Sequence, residues 1–99
     1  MFSRIHLSLS VATLSLISAC AVAPVQTLSD ARQTLTAAQA AGAAESVPAL
    51  YGQANDELHR AEEELKLGDY REAARQAHLA RRDARKALMA AQAASPATR

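Results

Sequence analysis

Six alanines, Ala73, Ala77, Ala80, Ala84, Ala87 and Ala91, follow one another at alternating spacings of four and three residues. That spacing returns every side chain to one face of an α-helix. Tyr70 to about Ala94 is therefore predicted to be one helix with a seam of methyl groups, closed by Ser95-Pro96. A methyl seam buries little area by itself, but it lets a second helix approach closely, as in a tight antiparallel coiled coil. Gly68-Asp69 stands directly before the seam. Gly68 suits a left-handed helix C-terminus, which glycine adopts without penalty. Asp69 can cap the helix that follows, with Glu72 completing a capping-box-like arrangement. So short a link predicts an antiparallel hairpin of helices at about 46–67 and 70–94.

The partner seam is Tyr51, Ala54, Leu58, Ala61 and Leu65, again at helical spacing, with Ser46 as its expected cap and Pro48 in the first turn. Asp56–Arg60 and Glu62–Lys66 are expected to form i,i+4 pairs along it. A shorter preceding helix at about 29–41 is predicted from Leu28, Ala31, Leu35 and Ala38, with Ser29 as N-cap and Gly42 as stop. Leu67, Leu79, Leu88 and Met89 lie off the strict seam. They either widen the buried face to receive the first helix or form a patch for another protein, the first being favoured. The fold class read from these patterns is all-α.

Of the 99 residues, 23 between Cys20 and Arg99 are alanine, and only Tyr51 and Tyr70 are aromatic there. Such a domain has a thin core and no platform on which bases could stack. The formal charge of +1 falls to about zero once Arg4 is removed with the leader described below, which argues against nucleic-acid binding through phosphate neutralisation. The charges are nevertheless segregated. Residues 45–69 carry seven acids against two bases, and residues 70–99 carry seven bases against two acids. Complementary faces on neighbouring helices are one reading, and solvated faces of little energetic consequence are the other.

The N-terminus is an address. Arg4 lies in a short polar stretch, and Leu7 to Ile17 is an apolar run of eleven residues. A span of the bilayer core, about 30 Å thick, takes roughly 20 residues, so the run reads as a secretory signal. It ends at Ile17-Ser18-Ala19-Cys20, and Cys20 is the only cysteine. This pattern resembles the bacterial lipobox. The resemblance implies cleavage between Ala19 and Cys20, a diacylglyceryl group on the Cys20 thiol and an acyl group, such as palmitate, on its new amino terminus. Several acyl chains together anchor stably where one alone is marginal. Ala21 lacks the aspartate that retains enterobacterial lipoproteins in the inner membrane, so the inner leaflet of the outer membrane, facing the periplasm, is expected. The organisation is then 1–19 signal peptide, 20–27 acylated cysteine and tether, 28–94 helical domain and 95–99 tail.

Taken together, Ala31-Arg32, Ala41-Gly42-Ala43, Pro48 with Leu50, the Ala54/Leu58/Ala61 run and Gly68-Asp69-Tyr70 with the alanine ladder resemble a bacterial envelope family, domain of unknown function 4398. Its members are small Ala-rich helical lipoproteins, some fused to a peptidoglycan-binding domain that this chain lacks. The resemblance implies a fold and a location, not an activity. A narrower likeness, of Ala61, Gly68-Asp69-Tyr70, Ala73 and Ala80 to the tetratricopeptide repeat, covers one helix-turn-helix unit, fewer than a solenoid needs.

Chemistry is sparse. His59 and His78 fall on different predicted helices without the three or four convergent ligands of a metal site. The three glycines are isolated, so no phosphate loop is present. Ser29, Ser46 and Ser95 sit at helix boundaries, where capping accounts for them. Glu62-Glu63-Glu64 and Arg81-Arg82 read as solvated charge clusters, although the basic third helix offers a contact for anionic lipid. The expectation is a non-enzymatic, membrane-anchored envelope lipoprotein with no cofactor beyond its acyl groups and no small-molecule substrate. It acts as a structural or interaction module with an envelope protein partner or by self-association. The alternatives are a peptidoglycan-associated stabiliser and an accessory factor that binds anionic lipid.

Overall fold

A computed structural model of the chain describes residues 23–95. Among these the order is α1 (Val25–Ala40), a one-turn α2 (Ala43–Ser46), α3 (Pro48–Lys66) and α4 (Tyr70–Ala93). The fold is all-α, as the stripes require. α3 and α4 form the antiparallel hairpin, and α1 lies against it. At 1.5 Å per residue the 24 residues of α4 run about 36 Å.

The three stripes close on one another. Leu28, Ala31 and Leu35 of α1, Ala54, Leu58 and Ala61 of α3, and Ala77, Ala80 and Ala84 of α4 form one buried cluster. Ala38, Ala43, Ala87 and Ala91 form a second, flanked by Val47, Leu50, Tyr51 and Leu88. Leu28, Ala31 and Leu35 share the cluster of Ala77, Ala80 and Ala84, and Ala38 shares that of Ala87 and Ala91, so α1 runs parallel to α4. α4 is the common partner. Its alanine face is fully covered because methyl groups allow α1 and α3 to approach it from two sides.

The hairpin turn forms as the sequence predicts. Gly68 has φ +78°, its N–H donates to Leu65 O at 3.1 Å, and the Asp69 N–H donates to Glu64 O at 2.9 Å. These two bonds are a Schellman closure of α3. Asp69 Oδ1 then accepts from the Glu72 N–H at 3.2 Å and caps α4. The expected capping box is only half made, because the Asp69 N–H is already used by Glu64. The Glu72 carboxylate turns instead to Arg75 and Gln76.

Four boundary expectations are corrected. α1 begins at Val25, not near residue 29, and its N-cap is Pro24, so Ser29 lies inside the helix. Proline has no N–H to satisfy and a φ already suited to a helix start. The earlier start also holds Leu28 in helical register, where it is only 1% exposed, a burial worth about 2 kcal/mol. Consequently Val25, Gln26 and Thr27, expected within the 20–27 tether, belong to α1. Gly42 stops α1 in the left-handed region at φ +85°, as expected, but the loop behind it winds into α2. Ser46 belongs to that turn, its hydroxyl donating back to Gly42 O at 3.0 Å, and α3 starts at Pro48 without a side-chain cap.

The off-seam apolar residues divide. Leu88 packs on the second cluster and Leu79 is half-buried, whereas Leu67 is 77% and Met89 62% exposed. Among the described residues no helix is long and apolar enough to cross a membrane.

Candidate functional site

A helix that presents one apolar stripe to two neighbours has residues along the margins of the stripe, where packing decides how far each is buried. On the side of the hairpin away from α1 these are polar. Gln53 and Glu57 each precede a seam residue of α3, and Gln76 and Asp83 each precede a seam alanine of α4. Glu57, Gln76 and Asp83 are 7%, 8% and 2% exposed. Burial on this scale costs free energy unless the polar atoms are paired.

Asp83 is well served. Its carboxylate accepts from Gln53 Nε2 at 3.2 Å and from Arg82 Nε at 3.0 Å, with Lys86 Nζ at 3.9 Å. Burial opposes its charge, but the Arg82 hydrogen bond and the nearby cations outweigh it and hold the carboxyl below the usual aspartate range. Glu57 is the opposite case. Burial raises its pKa to about 7, and the hydrogen bond and charge of Asp83 act in the same direction. Near neutral pH the two carboxyls can share one proton, with Glu57 as donor and Asp83 as acceptor. Glu57 Oε1 and Gln76 Oε1 are buried without a hydrogen-bond partner. Towards the turn, Glu72 accepts from Arg75 Nε at 2.9 Å and Gln76 Nε2 at 3.2 Å, and these bonds hold its pKa down to about 2.

The arrangement can hold or release a proton. A shallow open groove runs along α3 past Pro48, Gly52, Gln53, Glu57 and Arg60. A second lies between α1 and α3, lined by Arg32, Thr36, Tyr51 and Leu58. Among the described residues no group of three His, Cys, Asp or Glu side chains is placed to hold a metal ion. His59 and His78 are both exposed on separate helices. His59 Nδ1 stands 3.5 Å from Glu62, and His78 Nδ1 is 3.5 Å from Arg81.

Sequence reasoning missed the buried Glu57–Asp83 pair. The only signal for it is positional, a polar residue recurring immediately before seam positions on both helices. The predicted charge complementarity between the hairpin helices also takes another form. Asp56–Arg60 and Glu62–Lys66 are not among the ion pairs of the described residues. Glu62 instead bonds Arg32 of α1 at 2.8 Å, and Asp30 of α1 meets Arg81 of α4 at 3.9 Å. The segregated charges are bridged through α1. Ile17, Ser18, Ala19 and Cys20, the predicted lipobox and cleavage site, lie outside the described residues.

Residues 26–98 match the family described as Domain of unknown function (DUF4398), a match that takes in all of α2, α3 and α4 and nearly all of α1. No curated protein and no solved structure matches the chain.

Proposed function

The chain belongs to this family of unknown function, and from that premise we propose that it is a lipid-anchored, periplasm-facing lipoprotein of the bacterial envelope. It acts without catalysis, as a structural or protein-interaction module. The observation that carries the reading is the junction between address and fold. The apolar run ends at Ile17-Ser18-Ala19-Cys20, and helix α1 begins at Val25, five residues beyond the cysteine. Cys20 is the only thiol in the chain and has no intramolecular partner for a disulfide. Acylation is the chemistry that its position specifies, and it is performed on the protein rather than by it. Behind it stands a helical rod that uses its alanine seam for its own packing, which leaves charged and polar faces to meet a partner.

The test is expression of the full precursor and of Cys20→Ser in a bacterial envelope. The parent chain is expected in the membrane fraction with the mass of an acylated mature form. Cys20→Ser should lose both properties, and unchanged membrane fractionation of the variant would overturn the anchor. Crosslinking in intact envelopes then tests the role. A protein adduct supports the interaction module, and muropeptide adducts alone count against it.

A further inference from the structure

We propose that the α3–α4 turn, Leu67 to Tyr70, is a second membrane contact that stands on the bilayer beside the acylated N-terminus. The inference rests on the lipid-anchor reading and deepens it. Its first support is topological. Because α1 runs parallel to α4, the start of α1 and the hairpin turn lie at one end of the bundle, and the α1–α3 connection lies at the other. The shared cluster, Leu28 to Leu35 on α1 with Ala77 to Ala84 on α4, puts Val25 roughly level with Ala74, about five residues along α4 from Asp69. The turn therefore projects about 7 Å past the first residue of α1.

The second support is the length of the tether. Cys20 and Val25 are five residues apart, so the chain between them spans at most about 18 Å. Subtracting the projection of the turn leaves at most about 11 Å between the tip and the level of the anchor when the bundle stands on a taut tether. Slack in the tether lets the tip reach the head groups.

The third support is chemical. The large exposed apolar side chains among the described residues are Val25 (62%), Leu67 (77%), Tyr70 (41%) and Met89. All but Met89 lie at this end. The apolar contact that often closes a Schellman turn joins its third-last helical residue to the second residue beyond the cap, here Glu64 and Asp69. Leu67 is therefore not recruited by the turn. Leucine paired with an amphipathic tyrosine suits the membrane–water interface. The local charges are Lys66 and Arg71 against Glu63, Glu64, Asp69 and Glu72. That balance does not attract anionic head groups, so the occupant is the apolar interface of the bilayer, entered by side chains rather than held by charge.

The chain contains no tryptophan, so Tyr70→Trp and Met89→Trp provide single reporters at the two ends. The acylated full-length product is reconstituted into vesicles of phosphatidylethanolamine and phosphatidylglycerol containing lipids brominated high on the acyl chains. With Tyr70→Trp, emission is expected to move to shorter wavelength and to be quenched, equally at low and high phosphatidylglycerol. With Met89→Trp it should not be quenched, and adding Leu67→Asp to Tyr70→Trp should abolish the effect. Vesicle flotation separates the two ideas. A chain that floats with an unquenched Tyr70→Trp reporter, or with both reporters quenched alike, overturns the turn contact alone. A chain that does not float overturns the anchor and the contact together.

Discussion

Glu57→Gln tests the buried seam most directly. In the folded chain Glu57 holds its proton up to about pH 7, against 4.5 for an ordinary glutamate. A raised carboxyl pKa means that the folded state binds more protons than the unfolded state between those values. Stability from this group is therefore full below about pH 4.5 and is lost as pH rises through about 7. The whole difference corresponds to about 3 kcal/mol, of which about 2 kcal/mol falls between pH 5.5 and pH 8. The physical source is visible. At pH 8 two carboxylates face one another in a seam where Glu57 is 7% and Asp83 2% exposed. Asp83 has the opposite sign, its lowered pKa giving stability that disappears only in stronger acid. The parent domain should accordingly be most stable near pH 5. Glutamine keeps the shape and can donate to Asp83 permanently, so Glu57→Gln should be about 1–3 kcal/mol more stable than the parent at pH 8 and about equal at pH 5.5. The assay is urea unfolding followed by far-UV circular dichroism, on the chain from residue 20 onward with Cys20→Ser. A variant with the same pH slope as the parent, or a parent more stable at pH 8 than at pH 5.5, would refute the shared-proton account.

Two further substitutions probe the fold. Gly68→Val puts a β-branched residue at φ +78°, where nothing lies within 4 Å of the new Cβ, so its cost is backbone strain alone. It should lower stability by about 1–2 kcal/mol, read as an earlier urea midpoint, and an unchanged midpoint would remove the turn assignment. Ala80→Leu places a large side chain at a position that is 1% exposed between two helices. It should destabilise by about 1–3 kcal/mol or release α1 from the hairpin, seen as faster amide exchange across 25–40. A leucine tolerated there without change would contradict the close approach of α1 to α4.

What could be read from the sequence, and what could not, divides along the range of the interactions. Helical periodicity is local. The spacing of Ala73 to Ala91 and of Leu28 to Ala38 specified which faces turn inward, and every residue of those two stripes is buried. Gly68 and Asp69 act within a few bonds of themselves, so the turn was legible too. The proposed address, Ile17 to Cys20, is likewise read from residue order alone. Tertiary contact decided the remainder. α1 starts at Val25 because burying Leu28 against α4 favours an extra turn of helix that Ser29 alone would not suggest. Glu62 pairs with Arg32 instead of Lys66 because packing brings α1 alongside α3. The Glu57–Asp83 pair exists because the methyl seams draw the hairpin close enough to enclose the polar residues beside them. Periodicity states which face turns inward, but only the distance between packed helices decides whether the next residue along is left in water or shut away from it.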